Sequence, residues 1–168
     1  EALLRDVRKA FQLVRSHAAE WGVDPQRVGI MGVSAGGHLA SSASVLLGDD
    51  APAFSVLLYP IVSMQEEMTH AASRANLLGD SPSEQLVERF SAHMHVEASS
   101  PPAILIHAGD DAVAKADNSL AYYQALRRAG VPAELHVFRA GGHGAAMRTP
   151  QTAFGVWPQL LLAWMQEM

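Results

Sequence analysis

Residues 30–40 read Ile-Met-Gly-Val-Ser-Ala-Gly-Gly-His-Leu-Ala, a serine crowded by glycines on both sides. The largely apolar run Arg27-Val28-Gly29-Ile30-Met31 leads in, and the helix-compatible stretch Leu39-Ala40-Ser41-Ser42-Ala43-Ser44-Val45-Leu46-Leu47 leads out. The pattern reads as strand, abrupt turn and helix. In Gly32-Val33-Ser34-Ala35-Gly36 such a turn puts Ser34 in a strained backbone conformation, with Gly32 and Gly36 removing the Cβ atoms that would collide where strand and helix cross. That geometry lifts the Ser34 hydroxyl clear of the sheet and aims the first helical N–H groups, Ala35 foremost, at whatever it attacks. The pentapeptide alone arises by chance in roughly one chain in twenty of this length. Residues elsewhere must therefore decide between a reactive serine and a glycine-rich turn.

Four short apolar runs punctuate the chain: Val28 to Val33, Phe54 to Tyr59, Ala103 to His107, and Leu135 to Phe138. Helical segments separate them, the rhythm of crossover units in a parallel sheet buried on both faces. The expected fold is a three-layer α/β/α domain with a mostly parallel sheet, a single domain over residues 1–168. In the opening segment Leu3, Val7, Ala10, Phe11, Val14, Ala18 and Trp21 recur at helical spacing, closed by Gly22. Further helices are expected over Gly37 to Leu47, after Ser81-Pro82-Ser83-Glu84, over Asn118 to Ala129, and at the C-terminus ending near Met168. Ser81 to Glu84 reads as a capping box with proline at the first helical position, and Gly130 then Pro132 stop the third of these helices. Residues 64–100 are long for one crossover and contain loop-like Asn76 and Gly79-Asp80. They read as a lid-like excursion over one face of the sheet.

The chain of 168 residues is long enough to bury a sizeable core. A formal charge of −5, with no stripe of Lys or Arg, argues against nucleic acid and anionic membrane as partners. With no cysteine, thiol nucleophiles, disulfides and thiolate metal sites are excluded. The apolar stretches are too short to cross a bilayer and none has the plan of a signal peptide, which favours a cytoplasmic location. The first residues nevertheless already read as the inside of a helix, so the compartment stays open.

A serine hydroxyl needs a base within hydrogen-bond reach and a third group to orient that base. Ligands of open parallel sheets bind at the strands' carboxyl ends, so the partners belong just after later strands. After the third run comes His107-Ala108-Gly109-Asp110-Asp111-Ala112-Val113, and after the fourth comes Arg139-Ala140-Gly141-Gly142-His143-Gly144. Each supplies one missing type, in the order serine, acid, histidine. Glycines around His143 leave its loop free to bring the ring over Ser34. The acid is Asp110 or Asp111.

With those motifs in place, the chain resembles the C-terminal two-thirds of an α/β-hydrolase, close to the acetyl esterase and acetylxylan esterase-like members. "GVDPQRVGIMGVSAGGHLAS", "LLGDSPSEQLVERFSAHMHV", "PPAILIHAGDDAVAKADNSLAYYQALRRAGVPAELHVF" and "GGHG" carry the resemblance and cover nearly every residue. It implies an α/β-hydrolase fold lacking its N-terminal strands, and a serine carboxylic ester hydrolase acting on short acyl, acetyl-type esters, including acetylated carbohydrates, with no cofactor. Aligning Asp-x-Val with the family's Asp-x-Val-Val-Pro selects Asp111 as the acid and leaves Asp110 to hold the loop or cap a turn. The chain departs from the family at Ala114-Lys115, where Val-Pro is usual, and at Ala145-Ala146, where a bulky apolar pair follows "GGHG"; both bear on pocket shape.

On this reading Ser34 attacks the ester carbonyl, His143 takes and returns the proton, Asp111 orients the imidazole, and the Ala35 N–H is one oxyanion donor. The second donor normally comes from a glycine-rich loop after an early strand, ahead of the point where this sequence begins. Two other readings share the features: a prolyl-oligopeptidase-type serine peptidase, and a weakly catalytic fragment that binds or assembles. Loss of flanking strands would leave the run Val28 to Val33 at a sheet edge and favour a homodimer or larger assembly.

The remaining candidates have plainer readings. His38 lines the site or packs against neighbouring loops, and His107 ends a buried strand as a hydrogen-bonded core residue near the acid. His93 and His95 lack a third metal ligand of suitable spacing. Met64, Met68 and Met94 fill gaps or touch an acyl chain. Lys115 is a solvated loop lysine, and Asp117 is an N-cap.

Overall fold

Backbone pairing assembles the apolar runs into a wholly parallel, four-stranded sheet in the order β1-β2-β3-β4. The computed structural model describes residues 2–148 and 151–168. The strands are β1 (Ile30–Val33), β2 (Ser55–Leu58), β3 (Ala103–Ala108) and β4 (Ala133–Phe138). β1 is two residues shorter at its start than the apolar pattern suggests, because Pro25–Arg27 form a 3-10 turn just ahead of it. β4 starts two residues earlier than expected, since Ala133 and Glu134 already pair with Ala103 and Ile104.

Successive residues of the central strands point to opposite faces, and each face has its own core. Leu57, Ala103 and Leu105 pack with Ala40, Tyr122 and Leu126 on one side. On the other, Val56, Leu58, Ile104 and Ile106 pack with Phe154 and Trp164. The first core belongs to α3 (Ala35–Leu46) and α6 (Asp117–Arg128), the second to α7 (Trp157–Glu167). Outside α3 lies α1 (Ala2–Ser16), followed after a break at His17 by the single turn α2 (Ala18–Trp21), which Gly22 ends. β2 and β3 are buried on both faces, which explains why these two strands are apolar almost throughout and not alternating. At the outer strand the second face is less covered: Met31 and Val33, in register with Val56 and Leu58, are 49% and 39% exposed.

Residues 64–100 carry α4 (Ala71–Leu78) and α5 (Glu84–Arg89) over a third apolar cluster of Ile61, Met64, Phe90 and Ala114. Three sequence expectations need correcting here. The cap of α5 is Ser83, whose side chain accepts from the Leu86 N–H, and not Ser81; Pro82 lies outside the helix. Asp117 is the first residue of α6, whose N-cap is Ala116, so its carboxylate favours the helix N-terminus by charge and not by capping. Lys115 is not simply solvated either, because its ammonium donates to the Glu67 carbonyl.

The excursion is anchored from beneath by Asn118, which is fully buried. Its Oδ1 accepts from the Val62 and Ser63 N–H groups, and its Nδ2 donates to the Met68 and Lys115 carbonyls. A buried amide satisfied at both ends fixes two loops that share no regular structure. Replacing it strands buried backbone groups, so Asn118→Ala is expected to cost about 2–4 kcal/mol. Urea denaturation measures this; a loss below about 0.5 kcal/mol would show that the two loops do not depend on Asn118.

Candidate active site

Ser34 stands at the sharp junction between β1 and α3 with φ 54° and ψ −119°, a region that side chains rarely occupy. Strain of this kind costs of order 1–3 kcal/mol and persists only where the surroundings impose it. Here the Ser34 N–H donates to the Leu58 carbonyl, while its own carbonyl accepts from the His38 and Ile61 N–H groups. The glycines divide the steric work differently from the sequence expectation. A Cβ on Gly32 would stand 2.7 Å from that of Ala40, and one on Gly37 would stand 2.6 Å from the Pro60 Cβ, whereas at Gly36 the space is open. Gly32 therefore lets α3 approach the strand and Gly37 lets it approach the turn after β2. Gly36 has no such role.

The histidine and the acid arrive on the loops after β4 and β3. Gly142 and Gly144, at φ 63° and 81°, flank His143 and allow the tight bend that turns its ring inward. The Ser34 hydroxyl lies 2.8 Å from His143 Nε2, and His143 Nδ1 lies 2.8 Å from Asp111 Oδ2. An ionised Asp111 accepts only, so Nδ1 carries the proton and Nε2 is free to accept from the serine. The Asp111 side chain is fully buried, and its other oxygen accepts from the Val113 and Ala114 N–H groups at 2.9 Å each. The neighbouring Asp110 is exposed, and its Oδ1 accepts from the Gly141 and Gly142 N–H groups.

One residue that the sequence pattern does not mark also bears on the ring. Tyr59, just past β2, is buried and sets its ring edge-on to His143 with centroids 5.2 Å apart. Its backbone φ of 36° is the second positive value outside glycine among the described residues, so two strained positions flank the imidazole. Nothing in the run Ser55 to Leu58 singles out the next residue for that place.

The other candidates fall into supporting positions. His38 is buried and its Nε2 bonds to the Phe90 carbonyl, joining the start of α3 to the end of α5. His107 is fully buried, with Nε2 donating to the Ala114 carbonyl, Nδ1 accepting from the Ser119 hydroxyl, and Asp111 Oδ2 at 3.6 Å. Burial holds both imidazoles below the ordinary histidine range, against the pull of their carbonyl acceptors. His95 bonds to the Glu88 carbonyl, and among the described residues no three histidines or carboxylates converge as metal ligands would. Beside Ala35 opens a cavity of about 260 Å³, lined mainly by apolar side chains including Leu4, Leu39, Ile61, Met64 and Leu77, with His38 in its wall. Met64 thus serves both the core and this cavity, while Met94 is largely exposed.

A strained serine between strand and helix, with an acid and a histidine supplied in chain order by later strand ends, is the arrangement of one hydrolase architecture. A family model described as the alpha/beta hydrolase fold matches residues 1–147. The chain belongs to that family. An acetylxylan esterase of Xylanibacter ruminicola is 38% identical over 157 residues, covering 90% of this chain but 31% of its own length. An acetyl ester-xyloside bifunctional hydrolase of Caldicellulosiruptor lactoaceticus superposes with a TM-score of 0.91 at 35% identity, covering 98% of this chain and 65% of that one. A thermophilic esterase of Thermogutta terrifontis, solved with propionate bound, gives a TM-score of 0.80 at 26% identity, covering 98% and 64%. The chain thus spans about a third of the curated relative's length and just under two-thirds of these solved hydrolases.

The two buried imidazoles give stability a predictable pH dependence. In the unfolded chain each titrates near about 6.5, whereas in the fold each resists protonation. Below that pH the unfolded state binds more protons, so stability falls as pH falls from about 6.5. Urea midpoints compared at about pH 7.5 and 5.5 should drop less for His38→Gln and His107→Gln than for the parent chain. An undiminished drop in both variants would assign the acid sensitivity to other groups.

Proposed function

We propose that this chain carries the catalytic core of a serine carboxylic ester hydrolase that cleaves short acyl, acetyl-type esters through an acyl-enzyme. The observation that supports it is the unbroken hydrogen-bonded relay from the Ser34 hydroxyl through His143 to buried Asp111. Ser34 Oγ attacks the ester carbonyl while His143 Nε2 takes its proton, and the buried carboxylate of Asp111 stabilises the imidazolium that results. The N–H of Ala35, first residue of α3, donates to the oxyanion. As the tetrahedral intermediate collapses, His143 returns the proton to the leaving alcohol. Water, activated by the same imidazole, then releases the acid and regenerates Ser34.

Substrate class follows from the relatives. An acetylxylan esterase and an acetyl ester-xyloside hydrolase among them support an acetylated carbohydrate as the natural ester. α4 and α5 pack on the cluster of Met64 and Phe90, and Leu77 of α4 lines the cavity beside Ala35, so we assign them the role of a partial lid.

The assay that separates the readings compares p-nitrophenyl acetate with a proline-peptide anilide. Acetate release, lost in Ser34→Ala with the fold retained, together with organophosphonate labelling of Ser34, supports the esterase. Anilide turnover would indicate a peptidase, and no turnover of either would leave a binding or assembly role. The exposed Met31 and Val33 at the outer strand favour self-association for burial, so a homodimer or larger species is expected. Light scattering across a dilution series tests this, and a monomer at every concentration would refute it.

A further inference from the structure

The geometry points to Asp110 as a positioning residue that holds the backbone of His143 in place for proton transfer, an inference resting on the Ser34–His143–Asp111 relay proposed above. The last rung joining β3 to β4 is the Gly109 N–H donating to the Phe138 carbonyl. Beyond it the ladder ends, and one loop carries Asp111 and the other His143. The Asp110 carboxylate bridges them. Its Oδ1 accepts from both the Gly141 and Gly142 N–H groups at 2.8 Å, so one oxygen collects the two amides directly ahead of His143. Consecutive N–H groups converging on one anion form the concavity that backbone nests offer to carboxylates and phosphates. The Gly142 N–H, with that of Gly141, holds the Asp110 carboxyl below the usual carboxylate range.

The need for such a tether follows from the loop's composition. Gly141, Gly142 and Gly144 surround the histidine, and glycine loses more conformational freedom on ordering than any other residue. A loop built this way can reach the required bend but does not hold it unaided. Asp111 constrains the tip of the ring through Nδ1, and the Tyr59 ring packs against it. Neither fixes the backbone from which the ring is hung. The adjacent aspartates therefore act on different parts of the same residue, with Asp111 orienting the ring and Asp110 setting where its Cα sits. Misplacement by about 1 Å can cost as much as a hundredfold in rate.

The test compares Asp110→Ala with Asp110→Asn, because the asparagine oxygen can still accept from both amides without carrying charge. Rates of p-nitrophenyl acetate hydrolysis and of organophosphonate attachment to Ser34 are normalised to the folded fraction measured by circular dichroism. Asp110→Ala should lower kcat and the labelling rate about ten- to a hundredfold with KM unchanged, and Asp110→Asn should restore both to within about threefold of the parent. Wild-type-like rates in Asp110→Ala, equal damage in both variants, or a change confined to KM would each overturn the inference. Ser34→Ala is run in parallel: if it retains full turnover, the underlying relay is wrong and the inference falls with it. Where Ser34→Ala is inactive, any of the other three outcomes overturns the role of Asp110 alone.

Discussion

The backbone at Ser34 is the constraint around which the site is built. A positive φ at a serine is unfavourable in isolation, and three main-chain hydrogen bonds maintain it: one to Leu58 on the neighbouring strand, one from His38 a turn along α3, and one from Ile61 after β2. These bonds tie the strand, the helix and the next crossover to one residue. Gly32 and Gly37 are required because the elements so tied come too close for any side chain. The hydroxyl is presented to the imidazole as a result of packing that begins on the next strand.

Hydrogen bonds from side chains to main chain carry much of the remaining organisation, since loops at the strand ends have no ladder to join. Asn118 serves the segment after β2, His107 holds the Ala114 carbonyl, and Asp111 gathers the amides of Val113 and Ala114. His107 contributes as a neutral ring: its Nε2–H is committed to Ala114, so the Asp111 oxygen 3.6 Å away remains available to His143. A protonated His107 would compete for that carboxylate, and burial opposes it.

Legibility in the sequence is set by locality. Apolar runs of strand length and helical spacing in between depend on neighbours in the chain, and the sheet follows from them with boundaries shifted by two residues at Ile30 and Ala133. Ser34, Asp111 and His143 stand out because each has a reactive side chain and sits just past a strand, though the choice between adjacent aspartates needs the family resemblance. Contacts between distant elements are not legible. Which glycine faces Pro60, which serine caps α5, that Asn118 joins four backbone groups and that Tyr59 packs against the imidazole are all decided by tertiary packing. Asp117 and Lys115 depart from their expected roles for the same reason, as a shift of one residue in the helix start and a carbonyl at Glu67 reassign both.

The separation of Ser34 from His143 along the chain has a kinetic consequence. Their hydrogen bond closes a loop of 109 residues, and it requires β2, β3 and β4 to be in register between them. Contacts so remote in sequence pay their closure entropy before they return any stabilisation, and parallel sheets are slow to form for this reason. Secondary structure and the compact core can therefore precede chemical competence in a refolding chain. The Ser34–His143 hydrogen bond forms only once β4 has joined the sheet, so this contact marks the end of folding more closely than helix content does.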